Sequence, residues 1–230
     1  MSALDVRSFS LGPIQTNAYL VRANGSAASG VVIDPGEEPE RLVSAQEALG
    51  TSIDAILITH CHFDHIGAVA PMATATHAPV YCPAGERAAL TDIMTFVPPG
   101  FGSFEAYEPE HTVAGGEHLQ LGGLSIDVIS TPGHSPGHVT YAISNGDELA
   151  LFSGDVLFQG SVGRVDLPGG DWEVLARSIA SLLERYPPET VVYPGHMGST
   201  TLGRERDSNP FLQELSGKPA GAGPEAGGTR

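Results

Sequence analysis

Short apolar runs separated by glycine, proline and polar residues make up most of the chain. Val6–Leu11, Ala18–Arg22 and Val31–Asp34 read as strands, with Gly25–Gly30 as the loop between the second and third. Pro35-Gly36 ends the third with a turn. Glu37–Leu49 has acidic residues at its start and Gly50 after its end, which predicts a helix. Ile53–Thr59 is a mostly apolar run of the kind found in a strand covered on both faces. Ile66–Thr74 predicts a second helix and Val80–Cys82 a strand. In the second half, Gln120-Leu121, Ser125–Ser130, Val139–Ile143, Leu149–Phe152 and Thr190–Tyr193 read as strands. Asp171 is placed to cap a helix over Trp172–Tyr186, where Leu175, Ile179, Leu182 and Leu183 share one face, and Pro187-Pro188 stops it.

Many strands with helices interspersed on both sides of the midpoint predict an α/β (α+β) fold, a two-sheet sandwich covered by helices. No repeat or linker interrupts the pattern, so residues 1–215 are expected to form one domain. Residues 216–230 are rich in Gly, Ala and Pro with little to bury, and are expected to be disordered. With 230 residues, 41% apolar and 17% charged, the chain is long and apolar enough for a sizeable core. Lys plus Arg number 11 and Asp plus Glu 27, a net charge of −16, which argues against nucleic-acid and anionic-membrane partners. Between Leu42 and Gly163 the one basic residue is Arg87, so few cationic side chains are available to hold an anionic substrate. The first residues show no basic segment followed by an apolar run, and no apolar run approaches the roughly 20 residues that span a bilayer. A cytoplasmic protein is expected. Cys61 and Cys82 do not suggest a disulfide framework.

The chemistry concentrates in Thr59-His60-Cys61-His62-Phe63-Asp64-His65, directly after an apolar strand. Residues two apart in extended backbone face the same way, so His60 and His62 can converge on one cation. Asp64 and His65 follow where the chain turns toward the next helix and can address a second position. This donor set suits zinc, iron or manganese. Cys61, between the two histidines, should point away as a packing residue, and Cys82 should be buried. His134, Asp155 and His196 each follow an apolar strand beside a glycine that lets the backbone turn tightly. Four strand ends delivering His or Asp is the pattern of a site built at one rim of a sheet. His77, His111, His118 and His138 carry no assignment, because a lone histidine after a strand is usually a surface or hydrogen-bonded residue.

His60-x-His62-x-Asp64-His65 with His134, Asp155 and His196 in that order resembles the metallo-beta-lactamase superfamily, and within it most closely the glyoxalase II (hydroxyacylglutathione hydrolase) group in its short bacterial form. Ile33-Asp34-Pro35-Gly36, the stretch from Thr131 to His138, the stretch from Gly160 to Asp166 and that from Thr201 to Leu212 share in the likeness, which runs from about Val6 to Leu215. The resemblance implies an αββα sandwich with a binuclear site between two mixed sheets. It implies that His60, His62 and His134 hold one metal, that Asp64, His65 and His196 hold the other, and that Asp155 bridges them. The implied cofactors are two divalent ions, zinc foremost, with iron or manganese as alternatives. The implied reaction is attack of a metal-bound hydroxide on the acyl carbonyl of a small-molecule thioester such as S-D-lactoylglutathione. Asp64 and Asp155 are the catalytic candidates, as ligands that also position the hydroxide. Asp34 can accept from the second nitrogen of a ligand histidine, or can serve only as the turn-forming residue before Pro-Gly. Arg164 and Asp166 are expected to form a structural ion pair. The best-known glyoxalase II enzymes carry a basic C-terminal helical extension that grips glutathione. This chain is expected to lack it, which leaves the thiol carrier open. Two other activities fit the same ligands: a persulfide dioxygenase using one iron, and a lactonase. A secreted β-lactamase is disfavoured, since no signal segment is seen and Asp155 stands where many carry Cys.

Overall fold

A computed structural model describes residues 3–215; the segment expected to be disordered, 216–230, lies outside the described residues. The elements in chain order are β1 (Asp5–Leu11), β2 (Thr16–Arg22), β3 (Ser29–Ile33), α1 (Pro39–Leu49), β4 (Ser52–Leu57), α2 (Phe63–Ile66), α3 (Val69–Thr76), β5 (Val80–Pro83) and α4 (Arg87–Thr91). There follow β6 (His111–Val113), β7 (His118–Leu121), β8 (Leu124–Ser130), β9 (Val139–Ser144), β10 (Leu149–Gly154), β11 (Leu157–Phe158) and β12 (Ser161–Val162). The chain continues through α5 (Trp172–Arg185), β13 (Val191–Pro194), β14 (Thr200–Thr201), α6 (Leu202–Ser208) and α7 (Pro210–Leu215).

Strands β1 to β6 form one six-stranded sheet in sequence order, and the other runs β14-β13-β10-β9-β8-β7. Both are mixed: β3 to β6 are parallel, β10 and β13 are parallel, and the remaining neighbours are antiparallel. The alternation of side chains along each strand sorts the apolar residues into layers. Tyr19, Val21, Val31, Ile33 and Leu57 point between the sheets, where they meet Ile126, Val128, Tyr141 and Phe152. Leu20, Val32 and Ile56, out of step by one, pack on Leu42 of α1 and on Val69 and Met72 of α3. Ala142, Leu151 and Val192 of the second sheet pack on Leu175, Ile179 and Leu182 of α5. The result is helix, sheet, sheet, helix, with each fully buried Leu or Ile worth about 1.5–3 kcal/mol of transfer free energy.

Helix α5 starts where the sequence places it, with the Asp171 carboxylate accepting from Val174 N–H at 2.9 Å. The single helix expected over Ile66–Thr74 is instead α2 and α3 with a break at Gly67-Ala68. There Ala68 N–H donates to the Pro35 carbonyl at 3.0 Å, and a side chain at Gly67 would run into Gly36 and Phe104. A contact with the β3 turn therefore overrides the helical pattern. Among the described residues no helix is long and apolar enough to cross a membrane.

The topology collects strand ends. Since β8 and β10 are both antiparallel to β9, and β13 is parallel to β10, the carboxyl ends of β8, β10 and β13 share one rim. The segment after β4 is tied to the second sheet by Val139 N–H donating to the Thr59 carbonyl at 2.9 Å. Tyr141 O–H donates to the Ile58 carbonyl at 2.8 Å.

Candidate metal centre

Four strand ends deliver seven side chains to this rim. His60 and His62 follow β4, with Asp64 and His65 in α2; His134 follows β8, Asp155 follows β10, and His196 follows β13. His60, His62 and His134 form one group whose ligand atoms lie within 4.8 Å of one another, and Asp64, His65 and His196 form another. In the first group His62 Nδ1 lies 3.1 Å from His60 Nε2 and 2.8 Å from His134 Nε2. In the second, Asp64 Oδ2 lies 3.6 Å from His65 Nε2 and 3.4 Å from His196 Nε2. Asp155 reaches both: its Oδ1 is 3.4 Å from His65 Nε2, and its Oδ2 is 3.4 Å from His196 Nε2 and 3.6 Å from His134 Nε2. Gly195 makes room for it, because a Cβ there would overlap Asp155 Oδ1.

The outer nitrogens fix which inner ones are free. His134 Nδ1–H donates to the Arg164 carbonyl at 2.7 Å, leaving Nε2 as a lone pair. Asp34 Oδ2 accepts from His65 Nδ1–H at 3.0 Å and from the Thr59 hydroxyl at 2.6 Å; Asp34 Oδ1 accepts from Thr59 N–H at 2.8 Å. With its hydrogen given to Asp34, the Thr59 oxygen accepts from His60 Nδ1–H at 3.1 Å, which frees His60 Nε2. Asp34, at φ 48° before Pro35, is therefore turn residue and histidine anchor together. Its grouping with His60 and His65 is a support behind the ligand groups, already filled with protons. Facing the rim, His65 Nε2 and Asp155 Oδ1 are buried without a hydrogen-bond partner. Inward lone pairs of His60 and His134 converging on His62, beside orphaned buried atoms, are arranged for cations. Imidazole nitrogens with carboxylate oxygens suit a zinc, iron or manganese ion.

The two groups differ in electrostatics. Burial, reinforced by the neighbouring imidazoles of His65, His62 and His134, holds His60 well below its ordinary value. Burial with His134 and His65 brings His62 down to about 4. Burial also opposes charge on His65, yet Asp155 and Asp64 outweigh it and push that histidine well up. His196 rises to about 9 because its hydrogen bonds to Asp155 and Asp64 overcome burial. The same pairings outweigh the burial of the carboxylates: His65 and His196 bring Asp64 down to about 2 and Asp155 well below the usual range. Without a cation, protons on His65 and His196 neutralise this half.

Arg164 and Asp166 form the expected pair, bidentate at 2.7 Å in both bonds, but on the surface, with side chains 62% and 68% exposed. It is the Arg164 carbonyl that serves the site. Cys61 and Cys82 are buried free thiols with sulfurs 3.6 Å apart, packed on the helix side of the first sheet and away from the ligand atoms.

His138, unassigned from the sequence, is fully buried and stacks on His60 at 4.9 Å between ring centroids. The available signal is a repeat: Pro132-Gly133-His134 is followed at once by Ser135 and Pro136-Gly137-His138. Of the other unassigned histidines, His118 is a surface partner of Asp127 at 2.7 Å, His111 lies against Tyr81, and His77 ends α3 at φ 57°.

A sequence profile of the metallo-beta-lactamase superfamily matches residues 11–196. The probable metallo-hydrolase YqgX of Bacillus subtilis (strain 168) is 37% identical over 215 residues, 91% of this chain and 98% of that protein. The hydroxyacylglutathione hydrolase GloC of Haemophilus influenzae is 35% identical over 188 residues, 80% of this chain and 88% of that one. Among solved structures, the BLEG-1 B3 metallo-beta-lactamase superposes with a TM-score of 0.83 at 40% identity, covering 90% of this chain and 99% of that one. TTHA1623 in a di-iron-bound form gives a TM-score of 0.70 at 43% identity, covering 90% and 100%.

Proposed function

Since the chain belongs to the metallo-beta-lactamase superfamily, we propose that it is a binuclear metallohydrolase acting on a small thioester of the hydroxyacylglutathione type. The observation that carries this reading is the placement of Asp155, whose two oxygens lie 3.4 Å from His65 Nε2 and 3.6 Å from His134 Nε2. One carboxylate thus spans an all-nitrogen group and a mixed one. His60, His62 and His134 would hold one ion, Asp64, His65 and His196 the other, with Asp155 shared. Zinc fits the donors, and the di-iron form of TTHA1623 supports iron as the alternative. When bound, two divalent ions supply a water that ionises near neutral pH and Lewis acidity toward a carbonyl oxygen.

The chain's own residues do the remaining work. Thr16 O–H donates to Asp64 Oδ2 at 2.6 Å and fixes that carboxylate. Asn17 Nδ2–H donates to the carbonyls of Pro194 at 3.0 Å and Met197 at 2.8 Å, which holds the loop that carries His196. His62 and His196 are part-exposed while His60, His65 and His134 are buried, so substrate approaches over His62 and His196. A thiolate leaves without a strong acid, consistent with a rim that offers no protonated carboxyl. The charge of −16 does not oppose an anionic substrate: two dications against Asp64 and Asp155 leave the rim locally positive. The likeness to GloC supports a hydroxyacylglutathione as the acyl donor.

The test is a hydrolysis panel of S-D-lactoylglutathione, other acyl thioesters, lactones and a β-lactam on protein of measured metal content. Thioester turnover that scales with bound metal is expected. Turnover of lactone or β-lactam alone, or stoichiometric oxygen uptake with a persulfide, would overturn the thioesterase reading.

A further inference from the structure

Asp155 leaves β10 at a break in the pairing of β10 with β13, which falls between Phe152 and Gly154. Gly154 there adopts φ 45°, where a Cβ would collide with Thr59 Oγ1 and the His138 ring. Past this corner the Asp155 amide has no strand to bond to. It donates to His138 Nε2 at 3.1 Å. An amide N–H can only donate, so His138 Nε2 must be unprotonated and the ring must carry its hydrogen on Nδ1. That hydrogen goes to Thr131 Oγ1 at 3.1 Å, and the Thr131 hydroxyl continues to Thr140 Oγ1 at 3.0 Å. The Thr131 N–H donates to the His138 carbonyl at 2.9 Å, pinning the loop at both levels.

We infer that His138 is a positioning residue: its ring, protonated on Nδ1 alone, takes the Asp155 amide hydrogen and so sets the orientation in which the Asp155 carboxylate spans the two ligand groups. The inference rests on the reading of Asp155 as the shared ligand. It also explains the stacking on His60, since one ring backs a histidine of the first group while orienting the carboxylate that reaches the second.

The test compares His138→Leu, which fills the space without an acceptor, with His138→Gln, whose side-chain oxygen can replace Nε2. Metal stoichiometry, affinity and the cobalt(II) absorption spectrum are read on each full-length protein. Leu is expected to weaken one of the two ions about 10–100-fold, the range for lost partners of metal ligands, and to shift the spectrum, while Gln restores both. Wild-type affinity and spectrum in the Leu protein would overturn the inference. Should that variant not fold, nitrogen-15 NMR of the zinc-loaded wild type decides: an Nδ1–H, Nε2-unprotonated ring supports the inference, and an Nε2–H ring overturns it. Asp155→Ala separates the two levels. If it keeps both ions, the reading of Asp155 fails; if it loses metal while His138→Leu does not, only the role of His138 fails.

Discussion

His60, His62 and His134 meet with no carboxylate among them, and burial keeps His60 and His62 neutral. Asp64, His65 and His196 meet as a mixed set in which His65 and His196 hold their protons well above the ordinary range. In the first group the His60 and His134 Nε2 atoms meet at His62 Nδ1 as neutral imidazoles; in the second, His65 and His196 hold protons against Asp64 and Asp155. A cation at the first position would meet neutral imidazoles, whereas one at the second would displace hydrogen ions. Asp155 belongs to both balances.

The sharpest way to break this contrast is at the shared residue. Asp155→Ala is expected to lose at least about 10²–10³-fold in hydrolysis, the range for removing one group that organises transition-state charge, and to bind less metal by elemental analysis. His62→Ala should strike one group only: the Asp64, His65 and His196 position should still load at high pH, and hydrolysis should fall with the missing ion. Retention of two ions would show that the groups are not separate.

The pH dependence sharpens the contrast further. The folded-state value of His196, about 9, lies above its ordinary 6.5. Its proton therefore stabilises the metal-free fold fully below about pH 6.5, and this is lost as pH rises through about 9. Metal-free protein should thus lose thermal stability over that window, and metal-loaded protein should not. Affinity for the second ion should rise over the same window with measurable proton release. Smaller effects are expected at the supports. Asp34→Ala should weaken the second ion about 10–100-fold in a metal titration by stripping the His65 Nδ1–H acceptor. Arg164→Ala should change stability by no more than about 1 kcal/mol in denaturant melts, because its ion pair is exposed and its carbonyl remains.

Much of the molecule was legible because the same residues serve local and global ends. The alternation that makes β2 a strand also sorts Tyr19 and Leu20 onto opposite faces. The apolar run before His60 announces both β4 and the histidines it carries. The short elements β6, β11, β12, α4, α6 and α7 carry too little apolar pattern of their own to be read from the sequence. The break between α2 and α3 depends on the Pro35 carbonyl, more than thirty residues upstream of Ala68. His138 stayed hidden because its role lies in one hydrogen bond to a backbone amide 17 positions along the chain. Asp34 was legible only as two alternatives, and the fold shows that turn and anchor are one conformation.

The most direct measurement is hydrolysis of S-D-lactoylglutathione against bound metal, on one preparation of wild type stripped and then reloaded in steps. Two ions per chain are expected, with no turnover in the stripped protein and most of the activity arriving with the second ion. Full turnover in protein shown to hold no metal would contradict the assignment.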